Sequence, residues 1–306
     1  MGKRLAAVMT CVDSKELAEE ALHYLKENTT PELTEIILVD NGSYTPLPKY
    51  DADRIIRFEE NIGVNAVFHR TLPDLEANGF THVAHLHCDV MVREKEWDEF
   101  LLFAFDTDPK LALVGLLGSN EIDGAGGRGL GTASSFFGGE YNTGWASKAE
   151  IHGRRVRGKD AAAVVDHLFM SFPLEKLKQL PPQEEAGYAP HHFYDRILAC
   201  EILDRGWHIA LLGLDVDHFG GGTGLCKVPH EGPELGVVNR DELYRRWLTS
   251  KGIPFAPDAN NLDYIVYTEA EKIFLNKWRD ETHFVPFKVS PNHDITHTDY
   301  RYYATT

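Results

Sequence analysis

The chain is predicted to fold as an α/β protein, with a mostly parallel sheet flanked by helices on both faces. Three observations lead there. Short apolar runs (Leu5 to Val12, Glu35 to Val39, Arg54 to Phe58, Thr81 to Val92) alternate with segments whose apolar residues recur at helical spacing. The links are short polar turns such as Thr29-Thr30-Pro31, Asp40-Asn41-Gly42-Ser43 and Asn61-Ile62-Gly63. The run THVAHLHCDVMV stops abruptly at His87-Cys88-Asp89, and in a parallel sheet a buried strand ending at an acid delivers it to the carboxyl edge, where ligands bind.

Each element follows from local chemistry. Leu5 to Val12 is a strand, and Asp13-Ser14 can cap a helix carrying Leu17, Ala18, Ala21, Leu22 and Leu25 on one face. The strand from Glu35 turns at Asp40; a third strand, Arg54 to Phe58, precedes a helix through Val64 to Leu72. Alternation in the Thr81 strand places His85, His87 and Asp89 on one face, a set that suits a divalent cation. The competing reading makes His85 an interior histidine. Beyond it, Trp97 to Phe105 reads as an amphipathic helix, Lys110 to Leu117 as a strand, Ala161 to Phe169 as a strand carrying Asp166, and Leu174 to Leu180 as a short helix ended by prolines. Asp195 opens a helix closed by Gly206, and a strand from His208 to Leu214 leads to His218 and three glycines. A helix is expected near Thr268 to Arg279.

Composition bounds the function. With 43% hydrophobic residues in 306, the chain can bury one large core or two modest ones. No apolar segment after Met1-Gly2-Lys3-Arg4 resembles a signal peptide and no charge-free stretch suits a membrane-spanning helix, so a cytoplasmic protein is expected. Cys11, Cys88, Cys200 and Cys226 are scattered without a C-x-x-C pair, which favours reduced thiols over a disulfide frame or a structural zinc site. A net charge of -16 opposes unspecific binding to phosphate backbones. From Gly118 to Lys159 the pattern dissolves into glycine-rich loop. Its GAGGRG lacks the strand and helix start of a dinucleotide fingerprint, and Arg154, Arg155, Arg157 and Lys159 form a basic run that is either solvated or phosphate-binding.

The order of LVDNGS, NIG, LHCDVMV with its following DPKLALVGLLGS, VDHLFM, HHFYD and finally DHFGGGT resembles the family 2 nucleotide-sugar glycosyltransferases of the GT-A (Rossmann-like) fold, over roughly Leu5 to Thr223. The resemblance implies a catalytic domain at 1–224, with a nucleotide-sugar half at 1–118 and an acceptor half at 119–224. Residues 225–306 are then a lid or packing extension. It implies a UDP-sugar donor, Mn2+ or Mg2+, and donor contacts from Thr10, Asp40, Gly63, Asn65, His87 and Asp89. Asp40 stands where the family pairs with the nucleotide base. His87-Cys88-Asp89 matches the D-x-D element with His87 in place of the first acid, so Asp89 is the metal ligand and His218 matches the histidine that completes the site. The catalytic base falls on Asp195, with Tyr194 where the family has Glu, and Asp166, His192 and Tyr194 lie on the acceptor side.

Simpler roles compete: Asp195 as a helix cap and His218 as a loop histidine. A noncatalytic nucleotide- or sugar-binding module is one alternative. A nucleotidyltransferase is another, against which TCVDSKE has no glycine after the first strand. The acceptor is open: a glycan end, a lipid-linked sugar, a small metabolite, a protein, or a hydroxymethylated base in DNA.

Overall fold

β1 (Leu5–Cys11) is buried at all of its positions because parallel strands flank it on both sides. The computed structural model that places it describes residues 4–122, 133–134, 154–156, 158–182, 187–218, 235–279, 287–288 and 301–302. Helix α1 (Lys15–Asn28) covers one face through Leu17, Ala18, Ala21, Leu22 and Leu25. There follow β2 (Thr34–Asn41), β3 (Arg54–Phe58), α2 (Val64–Ala77), β4 (His82–His87), β5 (Val90–Val92), α3 (Trp97–Asp106) and β6 (Leu111–Gly115). The middle of the chain gives β7 (Leu117–Ser119), β8 (Glu121–Ile122), β9 (Ala133–Ser134), β10 (Arg154–Arg155), β11 (Lys159–Ala162), β12 (Val164–Val165) and β13 (Phe169–Pro173). Then come α4 (Leu174–Leu177), α5 (Tyr194–Asp204), β14 (His208–Leu212), β15 (Val216–His218), α6 (Leu235–Ser250), α7 (Leu262–Trp278), β16 (Phe287–Lys288) and β17 (Arg301–Tyr302).

The central sheet runs β11-β14-β6-β13-β4-β1-β2-β3. Strands β3, β2, β1 and β4 are parallel, as are β6 and β14, whereas β13 lies antiparallel between β4 and β6. The mostly parallel α/β class expected from the sequence is therefore present. Parallel strands need crossovers, and α1 and α2 supply them.

Several local expectations change. Asp166 does not sit in a strand from Ala161 to Phe169: that stretch breaks into β11, β12 and a turn, which leaves Asp166 at the turn accepting the Leu168 amide at 3.1 Å. The chain then reverses into β13. His85 and Asp89 do not share a face, because β4 ends at His87 and Cys88-Asp89 form a turn. His85 is buried and stacked on Phe68 with ring centroids 4.0 Å apart, and neither ring nitrogen finds a hydrogen-bond partner. Burial lowers its pKa to about 3, so it is a neutral core residue. Cys11, Cys88 and Cys200 are buried free thiols, and Cys226 lies outside the described residues.

The extension is more helical than its sequence suggests. Helix α7 begins at Leu262, six residues before the expected Thr268, and packs through Leu262, Val266, Ala270, Phe274 and Trp278. Helix α6 was not expected at all. Asn239 on it donates to Asp13 Oδ2 at 2.9 Å and to the Gly42 carbonyl at 2.8 Å, and Arg246 reaches the Asn61 carbonyl at 2.6 Å.

Gly63, at the start of α2, lies against Pro190. Its φ is +84°, and a Cβ there would lie 2.8 Å from the Pro190 side chain and 2.9 Å from the Pro190 carbonyl oxygen. Gly63→Ala therefore combines backbone strain with a clash, and is expected to lower unfolding stability by roughly 1–3 kcal/mol, read as a lower urea midpoint at unchanged slope.

Candidate active site

Parallel pairing brings the ends of β1, β2 and β4 to one edge. Thr10 lies in register with Val39 on one side and His87 on the other, and Cys11 pairs with Asp40. The Thr10 hydroxyl and His87 Nε2 are both buried without a hydrogen-bond partner, so two neighbouring strand ends present polar atoms that the protein itself leaves unsatisfied. Burial, with His167 alongside, drops the His87 pKa to about 3 and keeps its ring neutral.

His218 reaches the same edge through β15. Its antiparallel pairing with β5 sets His218 opposite Val90, next to Asp89, and His218 Nε2 lies 3.5 Å from Asp89 Oδ2. Burial works against charge on His218, but the hydrogen bond and charge of Asp89, with Asp166 behind, outweigh it and raise the pKa.

Rings connect this pair to the start of α5. His87 and His167 have centroids 4.7 Å apart, and His167 and Tyr194 5.1 Å apart. His167 also lies 3.5 Å from Asp166 Oδ1. Tyr194 starts α5, and Asp195 follows it, buried, with Oδ1 accepting from the Arg196 amide at 2.9 Å and its guanidinium at 3.3 Å. The cap position of α5 belongs to Phe193, with no side-chain capping bond, and Asp195 stands in the first turn, where its carboxylate accepts one of that turn's amides.

His192 and Phe193 precede that helix with φ of +64° and +57°. Two consecutive left-handed non-glycine residues are costly and persist only where surroundings over-determine them. Those surroundings come from the extension: His192 Nε2 is 3.1 Å from Asp263 Oδ1, the Tyr244 hydroxyl donates to the same oxygen at 3.0 Å, and His191 Nδ1 lies 3.1 Å from that hydroxyl. Trp247 Nε1 donates to the Tyr188 carbonyl at 3.1 Å. Asn239, Tyr244 and Asp263 are therefore part of the edge, and sequence reasoning missed them; the only signal was the aromatic and polar density of residues after Leu225.

At the end of β2, Asp40 is completely buried. One carboxylate oxygen accepts the Ser43 amide at 3.0 Å; the other accepts the Leu47 amide at 3.0 Å and Arg57. In this arrangement Asp40 organises the loop after β2. Asp13 faces that loop, accepting the Tyr44 amide at 2.8 Å. Asn65 donates to the Ala189 carbonyl at 2.6 Å and accepts from the Ala66 amide at 2.8 Å, tying α2 to the segment before His191.

Among the described residues no three His, Cys, Asp or Glu gather into a metal-holding group. Asp89 with His218 offers one carboxylate and one imidazole, a donor pair that suits Mn2+ or Mg2+ when substrate phosphates and water supply the remaining ligands. A cavity of about 430 Å³ lies elsewhere, lined by Arg4, Thr34 and Arg54 at the amino ends of β1, β2 and β3. Its cationic groups are already paired, Lys26 with Asp53, Arg4 with Glu35, and Arg54 with Glu35 and Asp74, so we assign it no chemistry. The Arg154 and Arg155 side chains, Arg157 and the glycines after His218 fall outside what is described; Lys159 donates to the Thr107 hydroxyl at 2.7 Å.

No protein-family model and no curated protein matches this chain. Solved structures do. S. aureus TarS 1-349 is 13% identical with a TM-score of 0.44, over 90% of this chain and 73% of that one. The mannosyltransferase PcManGT from Pyrobaculum calidifontis, in complex with GDP-Man and Mn2+, is 12% identical with a TM-score of 0.45, over 92% and 89%. Glucosyl-3-phosphoglycerate synthase from Mycobacterium tuberculosis, with Mn2+, UDP and glucosyl-3-phosphoglycerate, is 16% identical with a TM-score of 0.42, over 83% and 82%. Among the described residues no helix is long and apolar enough to cross a membrane.

The Asp263 clasp has a pH signature. The His192 hydrogen bond, against the cost of burial and with help from Tyr244 and Arg240, lowers the Asp263 pKa to about 2. A depressed carboxyl adds stability above its unfolded value of about 3.9 and loses it as pH falls through the folded value. The carboxylate is half exposed, so the advantage of the parent over Asp263→Asn is expected to be no more than about 1 kcal/mol, full at pH 5 and gone near pH 2. Melting curves across that range test it; a pH-independent difference would mean that the ion pair is not the source.

Proposed function

We propose that this chain is a metal-dependent, inverting GT-A glycosyltransferase that moves a sugar from a nucleoside-diphosphate sugar, UDP-linked, to an acceptor hydroxyl. The observation that carries the reading is the convergence on one sheet edge of the Asp89–His218 pair and, through the rings of His87, His167 and Tyr194, of the buried acid Asp195. The expected contacts at Thr10, Gly63, Asn65 and His87 lie around that edge, and Asp40 serves by shaping its loop.

Asp89 and His218 would hold Mn2+ or Mg2+, whose positive charge, when bound, offsets the negative charge that develops on the departing diphosphate. The neutral His87 imidazole and the Thr10 hydroxyl, unsatisfied side by side, are placed to hydrogen-bond the donor. Asp195 takes the proton of the acceptor hydroxyl onto its carboxylate as the new glycosidic bond forms and the bond to the diphosphate breaks. With one carboxylate acting as base and none assigned as nucleophile, the transfer is a single displacement that inverts the anomeric centre. Asp166 and His192 border the acceptor side.

Asp195→Asn keeps the size of the side chain and removes the base. Turnover is expected to fall on the order of a hundredfold to ten-thousandfold at unchanged donor affinity, and the parent's product, read by proton NMR, to carry the inverted configuration. An active, stable Asn variant or a retained configuration would sink the mechanism. Asp89→Ala is expected to abolish manganese-dependent binding of UDP in calorimetry. Nucleotide binding by the parent without any transfer would point to the noncatalytic module instead.

A further inference from the structure

Helix α7 buries one stripe, Leu262, Val266, Ala270 and Phe274, and leaves two tyrosines outside it. Tyr264 is 69% exposed and Tyr267, one turn on, 38%. Phe100 and Phe103 repeat the pattern on α3, so exposure alone assigns no role to the tyrosine pair. Its position narrows what it recognises. The Tyr267 ring centroid lies 5.2 Å from Phe193 and 5.4 Å from His192, the two left-handed residues immediately before Tyr194-Asp195. The ring row that starts at His87 and passes through His167 to Tyr194 thus continues, one residue back along the chain, onto the open surface of α7.

The polar groups around the pair complete the picture. Asp263 lies on the same side of α7, its carboxylate half exposed and held by His192 and Tyr244. Flat rings fringed by fixed carboxylate and imidazole groups match a pyranose, which has an apolar face of C–H groups and a rim of hydroxyls. They do not match a polyphosphate backbone: the chain carries a net charge of -16, and the Arg240 guanidinium near the rings is already turned to Asp263 at 3.9 Å.

We propose that Tyr264 and Tyr267 form an acceptor subsite that stacks on a sugar unit of a glycan chain, behind the unit whose hydroxyl reacts at Asp195. This names the acceptor class as carbohydrate polymer or oligomer, and it rests on the glycosyltransferase reading for the direction in which the chain runs. The stacking itself does not depend on catalysis.

The test is affinity electrophoresis of the full chain through native gels containing laminarin, mannan, xylan or dextran, beside the double variant Tyr264→Ala/Tyr267→Ala. Phe103→Ala, which removes another exposed aromatic ring on α3, is the control. At least one polysaccharide is expected to retard the parent and Phe103→Ala equally, while the double variant binds it at least tenfold more weakly with an unchanged melting temperature. No retardation of the parent by any of the four overturns the proposal, as does equal retardation of the double variant. So does retention by duplex DNA, in place of glycan, that is lost in the double variant. Calorimetry with UDP and manganese on the same samples separates the two readings: glycan retardation without nucleotide binding removes the glycosyltransferase and keeps the subsite, and nucleotide binding without retardation does the reverse.

Discussion

The pairing of β5 with β15 is the contact on which the candidate site depends. It is three residues long, yet it holds His218 against Asp89 from more than a hundred residues away in the sequence. Closing so long a loop costs entropy that grows only slowly with length, and the buried Val90, Met91, Val92 and Val216 repay it with apolar contact. The acid is thereby placed by a tight turn after a core strand, and the imidazole by a short ladder. Neither sits on a free loop.

Around that contact the edge is built from two kinds of rigidity. After β2, backbone amides and Arg57 saturate Asp40 and freeze the loop, so the acid at this strand end is an internal hub of hydrogen bonds. Before α5, the strained His192-Phe193 pair is held from outside by α6 and α7. Strain of this kind needs external support, and the extension provides it.

Much of this was readable beforehand. The alternation of apolar runs and helical spacing gave β1, α1, β2, β3, α2 and β4 in order, and the abrupt end of THVAHLHCDVMV marked the edge. Four things were not readable. The break at Ala163 and the reversal into Phe169-Met170-Ser171-Phe172-Pro173 were hidden because a strand buried on both faces shows no alternation. Helix α6 was hidden because it buries Asn239 and Tyr244 along with Leu243 and Leu248, which blurs the contrast between its faces. Helix α7 gave too short a signal because exposed tyrosines occupy its polar side. The left-handed pair at His192-Phe193 had no glycine or asparagine to announce it.

Helix α6 touches the Asp13, Gly42 and Asn61 loops through Asn239 and Arg246, and the Tyr188 and His191 segment through Trp247 and Tyr244. A helix seated that way is a splint across two loop systems that otherwise belong to different ends of the sequence. Anyone recombining this chain with a relative, exchanging one of these loop systems without the other, would be cutting between a splint and the fracture it holds. The exchangeable unit is a half together with its share of α6.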